Sequence, residues 1–375
     1  MITNELFNSW LNDTEKYQAG KTFEDLARDY GFKPEDILRL AGNESTIGTS
    51  PLAIKAAQEA ATSSNFYAQP KSEALMTALE KDFASRIDMT NLGIVCGNGM
   101  DSVIEHVLGL FAKPGDSVIN LSPSFIYYDF AAKRQGFEII DAPRKRMEAD
   151  NDLYTYKADI DLAISKIQDN TKIAFLCTPN NPDASIVSLA EIKRFADACL
   201  EKGVVLFIDH AYIEFTQREI YDAANLVKDY PNMIVGYTFS KAYAMAGFRV
   251  GYALMQKELK EKFLTLMTPF LISKVSIAAA IAALNDKEHL EKIINNNQDQ
   301  RPALIKELQE LGLKVYQSFA NFILIETQTP DLFERLLKQG IIVRNMSKIN
   351  ALRISIGTKE ENARLLEALK QVLNA

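Results

Sequence analysis

The 375 residues include only three cysteines, three histidines and one tryptophan. Cys96, Cys177 and Cys199 each stand in apolar surroundings, without the spacing that a metal site requires. They read as reduced core thiols, as in a cytoplasmic protein. Cation excess is also absent. Forty-two Lys and Arg stand against 49 Asp and Glu, a net charge of −7, and no basic stripe offers a nucleic-acid surface. Long apolar runs are missing: the longest, such as IAAAIAAL, fall far short of the ~20 residues that cross a bilayer. The first twenty residues hold no apolar stretch of the signal-peptide kind. Repeats and low-complexity linkers are absent too. What remains is ordinary globular material, 47% hydrophobic and 24% charged, long enough for a large core and two domains.

Along the middle of the chain, short β-branched runs alternate with amphipathic helical patterns. GIVC (93–96), SVINL (117–121), KIAFLC (172–177), VVLFID (204–209), MIVGYTF (233–239) and RVGYAL (249–254) read as strands. Between them, DSVIEHVLGLFAK carries a helical apolar period and SLAEIKRFADACLEKG opens on a serine cap. This alternation predicts an α/β fold with a mainly parallel sheet covered on both faces. The end of the chain reads differently. A long polar helix over about 286–312 precedes KVYQSFANFILIET, GIIVRNM and LRISIGT, which lie among further helices, the pattern of a smaller α+β domain. The expected division is an N-terminal arm and helix over 1–45, a large domain over 46–280 and a small C-terminal domain over 281–375.

Ligands of open parallel sheets bind beyond the strand C-termini, so the residues just past each run matter most. After GIVC comes GNGMDS. Gly97 and Gly99 let backbone amides approach an anion at a helix start, although Asp101 also suits a plain helix cap. The pattern is close to a dinucleotide loop as well, but no acid closes the next strand, SVINLSPSF, as a ribose would require. After KIAFLC comes TPNNPDAS, with Asn180, Asn181 and Pro182, which alone is turn chemistry. Asp209 closes VVLFID and Tyr212 follows; a cap and a packed ring would also account for them. In TFSKAYAMAGFRVGYA, Lys241 and Arg249 stand among small and apolar neighbours, where unpaired charge is expensive.

In this order and spacing, the anion loop, Asn turn, Asp-x-x-Tyr and T-x-S-K-x-x-x-x-x-x-x-R-x-G resemble the pyridoxal phosphate (PLP) aminotransferases of the aspartate-aminotransferase superfamily, fold type I. Within it, the nearest likeness is the histidinol-phosphate aminotransferase family, from KYQAGK (16–21) to LRISIGT (352–358). The resemblance implies the PLP-dependent transferase fold and transamination, with Lys241, Asp209 and Tyr212 as the catalytic set. Lys241 would hold PLP as a Schiff base, its apolar setting keeping the amine deprotonated. Thr238, Ser240, Arg249 and the amides of Gly99, Met100 and Asp101 would hold the phosphate, since a buried dianion needs many donors. Asp209 matches the carboxylate that keeps the pyridine nitrogen protonated. Tyr212 and Asn181 match groups on the ring's 3′-oxygen, and Phe125 the ring stacked upon it. Tyr67 matches a tyrosine that reaches the phosphate from a neighbouring subunit, which implies a homodimer with shared sites. Toward substrate, the resemblance points to Tyr17, Asn43, Asn181, Arg344 and Arg353. Arg353 is the expected carboxylate clamp, and Arg344 and Tyr17 are phosphate groups beside it; a surface arginine is the plainer reading of Arg344. Histidinol phosphate and 2-oxoglutarate, used in ping-pong order, are the expected pair. Alternatives are an aminotransferase for aromatic or other amino acids, or a PLP-dependent decarboxylase of a phosphorylated amino acid.

Several positions depart from the family pattern. PNNPTG reads PNNPDA here, with Asp183 and Ala184, and D-E-A-Y reads D-H-A-Y, with His210. The arm's NENPxGPSP reads NESTIGTSP, and the loop of Tyr67 ends in YAQP rather than Tyr-Pro-Asp. His210, next to Asp209 on an extended segment, is expected to face the other way and pack behind the site. Asp183 is expected near the substrate, where its carboxylate would repel an anion unless paired or turned away.

Overall fold

The apolar runs of the middle segment assemble into a seven-stranded sheet in the computed structural model, which describes residues 7–12, 14, 16 and 20–373. The strands are β1 Leu38–Leu40, β2 Leu92–Asn98, β3 Ser117–Asn120, β4 Glu138–Asp141, β5 Lys145–Glu148, β6 Tyr154–Lys157 and β7 Thr171–Cys177. They continue with β8 Val205–Asp209, β9 Met233–Thr238, β10 Val250–Gln256, β11 Lys314–Val315, β12 Phe322–Glu326, β13 Ile341–Met346 and β14 Ala351–Ser355. The large sheet has the order β2-β10-β9-β8-β7-β3-β4. Strands β4, β3, β7, β8 and β9 run parallel. Residues 173–177 and 205–209 are buried throughout, which is why these runs lack the polar alternation of a half-covered sheet.

Strand β10 is the antiparallel member, paired with both β9 and β2. The connection 239–249 is too short for the helical crossover that a parallel neighbour needs. The chain therefore turns straight back, and Lys241 and Arg249 share one tight loop beyond the ends of the parallel strands. Helices cover the sheet. Leu189–Glu201 starts from a capping box between Ser188 and Glu191. Gly99–Phe111 begins directly at the end of β2.

The five-stranded sheet β1-β13-β14-β12-β11 gathers a second core that includes Leu304, Leu308, Ile323, Ile354 and Leu369. Its edge strand β1 comes from the N-terminal segment and pairs parallel with β13. From there, residues 41–43 pass to the ends of the large sheet. Arg344 lies directly opposite Arg353 across β13 and β14, so both side chains leave the same face of this sheet.

Gly251 sets how closely β10 meets the helix start. A Cβ there would lie 2.5 Å from Met100 N and 2.6 Å from the Gly99 carbonyl carbon, both backbone atoms that cannot rotate away. Gly251→Ala is expected to cost about 1–3 kcal/mol through overpacking. Thermal unfolding checks this, and an unchanged Tm would mean that the helix start has slack.

Candidate active site

Beyond β9, Lys241 opens a turn closed by the Ala244 amide, which donates to the Lys241 carbonyl at 3.0 Å. Lys241 Nζ donates to the Gly42 carbonyl at 2.8 Å and lies 5.9 Å from the centre of the Tyr212 ring. Burial lowers its pKa to about 8; Arg353 and Arg249 act in the same direction, while Glu44 and Asp101 oppose them. An amine so poised is available as nucleophile and base near neutral pH.

One side of Lys241 is rich in donors. Thr238 Oγ1 donates to Ser240 Oγ at 3.0 Å and accepts from the Ser240 amide at 3.1 Å. Arg249, in the left-handed region at φ 55°, donates through Nη2 to Asp101 Oδ2 at 2.8 Å. Its guanidinium covers Gly99 so closely that a Cβ there would lie 2.4 Å from Nη2. The first amides of Gly99–Phe111, which have no partners within their own helix, start at this point. The Met100 side chain packs elsewhere, with Sδ beside Gly236, and leaves its amide as the group it offers.

At the other end Asp209 is buried. Its Oδ1 accepts from the Ala211 amide at 2.9 Å and its Oδ2 from the Tyr128 hydroxyl at 2.6 Å. Burial pushes its pKa up to about 6, against the pull of these two hydrogen bonds. Tyr128 was not among the residues expected from sequence. It is wholly buried, stacked flat on Phe175 (4.7 Å, 3°) and met edge-on by Phe125 (5.5 Å, 87°). The available signal was its place one helical turn after Phe125 in SPSFIYY. His210 faces the other way, as its extended backbone implies. Its Nδ1 donates to the Thr178 carbonyl at 2.6 Å, its Nε2 accepts from the Ala223 amide at 3.0 Å, and burial lowers its pKa. It is a neutral pin between two loops.

On the third side the Tyr212 hydroxyl accepts from Asn43 Nδ2 at 3.0 Å and from Asn181 Nδ2 at 3.5 Å. Asn181 Oδ1 accepts from Arg353 Nη1, and Arg353 Nη2 donates to the Ala41 carbonyl at 2.8 Å. Arg344 stands beside Arg353 with Nη1 against Gly20. The expected repulsion by Asp183 does not arise. Its carboxylate is turned away and buried, accepting from Asn180 Nδ2 at 2.6 Å and from the Tyr156 amide at 2.9 Å. Tyr67 does not join this cluster within one chain: it is 81% exposed and packs on Phe270 at 4.6 Å. Tyr17 lies outside the described residues.

The Tyr128–Asp209 bond has a measurable consequence. With a folded pKa near 6, against about 3.9 for a free aspartate, the folded protein binds more protons than the unfolded chain between those values. This group therefore makes stability fall as pH rises through that window. Tyr128→Phe removes a donor that favours the charged carboxylate, so the decline should extend to higher pH. Thermal unfolding of the cofactor-free variant across pH ~4 to ~8 reads this out; a profile identical to the parent's would rule out the coupling.

The family model for class I and II aminotransferases matches residues 35–369. A histidinol-phosphate aminotransferase of Methanocella arvoryzae is 36% identical over 370 residues, 96% of this chain and 97% of that protein. One of Methanococcoides burtonii is 33% identical, covering 99% of this chain and 100% of its own. The crystal structure of histidinol-phosphate aminotransferase from Sinorhizobium meliloti in complex with pyridoxal-5′-phosphate matches at a TM-score of 0.85 and 26% identity, covering 98% of this chain and 97% of that one. The groups present here fit that cofactor. A partly deprotonated lysine suits its aldehyde, a buried carboxylate its ring nitrogen, and the hydroxyls, arginine and amides around Gly99 its phosphate. The chain belongs to the class I and II aminotransferases and is a PLP-dependent transaminase.

Proposed function

We propose that this transaminase takes the amino group of histidinol phosphate and passes it to 2-oxoglutarate in two half-reactions at one site. What carries this reading is the pairing of Arg344 with Arg353 on one face of the small sheet. Two arginines leaving one face suit a phosphate dianion, and Arg353 alone suits a carboxylate. The relatives at 36% and 33% identity, both histidinol-phosphate aminotransferases, support the same donor.

Bound PLP supplies an aldehyde for the amino group and a ring that accepts the electrons released when the donor's C–H bond breaks. Lys241 would hold it through Nζ, and its free amine would be the base for the proton on the donor's amine-bearing carbon, a positioned transfer worth roughly 10²–10⁴-fold. Asp209 would keep the ring nitrogen protonated, Tyr212 and Asn181 would bond the ring's oxygen, and Phe125 would serve as its stacking ring. Thr238, Ser240, Arg249 and the amides of 99–101 would hold the phosphate. Asn43 orients Tyr212. The donor's product leaves before the acceptor enters, because both use Arg353.

A panel of amino donors with 2-oxoglutarate tests the assignment. Histidinol phosphate should react best; rapid turnover of aromatic or aliphatic amino acids without histidinol phosphate would overturn it. Arg344→Ala removes a charged hydrogen bond worth about 1.5–3 kcal/mol, so kcat/KM for histidinol phosphate should fall roughly ten- to a hundredfold. Glutamate, which relies on Arg353, should lose little.

We also infer a homodimer in the cytoplasm, with 46–280 as the PLP-binding unit and 281–375 as the small one. Phe66 and Tyr67 are 66% and 81% exposed and the Tyr67 ring adjoins Phe270, an apolar surface suited to a second copy. No helix among the described residues is long and apolar enough to cross a membrane. If Tyr67 serves the neighbouring site, mixing inactive Tyr67→Ala and Lys241→Ala chains should restore part of the activity. No recovery despite proven subunit exchange would mean that each site is built from one chain.

A further inference from the structure

Among the buried charges that the roles assigned above leave without a task are Arg144 and Asp183, which are 5% and 0% exposed. Arg144 donates through Nε to the Leu121 carbonyl at 3.1 Å and through Nη2 to the Cys177 carbonyl at 3.0 Å, tying the chain after β3 to the end of β7. Its Nη1 reaches Ser185 Oγ at 3.5 Å, and Ser185 Oγ donates to the Tyr156 carbonyl at 2.9 Å. Asp183 accepts from Asn180 and from the Tyr156 amide, so the acid and Ser185 together grip both backbone groups of Tyr156. The turn 180–185 is thus clamped between the strand ends of the large sheet and β6. It is also closed on itself, with the Asn180 amide donating to Ser185 O and the Ala184 amide to Asn180 O, both at 2.7 Å.

Asn181 lies inside this turn and meets both Arg353 and Tyr212. Strand β6 leads on to the small sheet: Tyr156 stacks on Tyr316 (5.3 Å, 18°), and the Gln317 amide donates to the Tyr154 carbonyl at 2.8 Å. The Phe319 amide donates to the Ala184 carbonyl at 3.0 Å. The Asn turn therefore connects the two sheets.

We propose that Arg144 and Asp183 are positioning residues, a mutually compensating charge couple that fixes the Asn turn so that Asn181 holds Tyr212 and Arg353 at one spacing. Asp183 stands where the family pattern has Thr, and Ala184 where it has Gly. Arg144 and Asp183 form no direct ion pair; Ser185 and the backbone of Tyr156 link them, and each lies in the other's field, so either buried charge alone would lose its counter-charge. This role rests on the reading of Asn181 and Tyr212 as groups on the cofactor's 3′-oxygen.

The test is a pH titration of the visible absorption band of the PLP-loaded enzyme, with donor KM and thermal unfolding measured in parallel. Asp183→Asn keeps the shape and leaves Arg144 uncompensated; Arg144→Gln leaves Asp183 uncompensated. Each single variant is expected to move the midpoint of the band by about half a unit or more, because displacing Asn181 changes the hydrogen bonding of the ring oxygen. Donor KM should rise severalfold, with cofactor content unchanged. The double variant carries no stranded charge and keeps amide donors for the two carbonyls, so it should recover most of both effects. Unmoved midpoints in folded single variants overturn the proposal, as does a double variant no better than the singles. Where a single variant fails to fold, a folded double variant with the parental midpoint supports the coupling, and an unfolded double overturns it. A parent whose own band does not titrate would refute the reading of Asn181 and Tyr212, and the proposal with it; a titrating parent with unmoved variants refutes the proposal alone.

Discussion

The bond from Lys241 Nζ to the Gly42 carbonyl joins the loop after β9 to the N-terminal segment, and it holds the amine in a site where burial works against its charge. Burial and two nearby cations, Arg353 and Arg249, favour the neutral amine. Those cations also have their own work, one beside Asn181 and the other beside the Gly99 cradle. The basicity of Lys241 is therefore coupled to what those cations bind. An anion placed against either one offsets its field and lets the amine hold a proton more readily. The charges that hold ligands and the group that moves protons belong to one electrostatic unit.

That unit exists because the chain reverses between β9 and β10. A crossover helix there would have carried Arg249 away from Lys241. The short return instead pairs Gly251 with both Gly97 and Thr238, and it brings the β10 backbone against the first turn of Gly99–Phe111. The same reversal that makes β10 antiparallel thus supplies the arginine and the close helix start. The carboxylate end has a separate foundation in parallel β8, where Asp209 is held by Tyr128 from beyond β3. The two ends meet because all these strands finish along one edge of the sheet.

Much of this was legible in the sequence, for physical reasons. Strands β7, β8 and β9 announce themselves as unbroken apolar runs because both faces are covered, and the polar residues that end each run stand out against them. Strand β4 and the hairpin β5–β6 gave no such signal, since their faces are largely exposed and nothing enforces alternation. Tyr128 was hidden by its neighbours: SPSFIYY offers three aromatic rings, and the tertiary position of Asp209 selects one of them. The orientation of Asp183 was hidden as well. Whether an acid in an Asn-Pro turn faces ligand or interior depends on Tyr156 and Arg144, both distant in sequence.

The backbone itself shows how the site is held. Asn43, Ala184, Ala244 and Arg249 all lie in the left-handed region, at φ 54°, 59°, 54° and 55°. For residues with a Cβ this costs roughly 1–2 kcal/mol each. Such conformations persist only where the surroundings over-determine them, and all four are tied by bonds from far along the chain. Asn43 takes bonds from Asn321 and gives one to Ser355, both in the small-sheet region. The Ala184 carbonyl accepts from Phe319, and the Ala244 carbonyl accepts from Thr49 Oγ1 at 2.6 Å. Arg249 is tied by its side chain, through Asp101. Asn43 and Ala184 are tied to the small-sheet region, Ala244 to Thr49 and Arg249 to the first turn of Gly99–Phe111, so the lysine loop and the Asn turn take their shape from contacts distant in sequence.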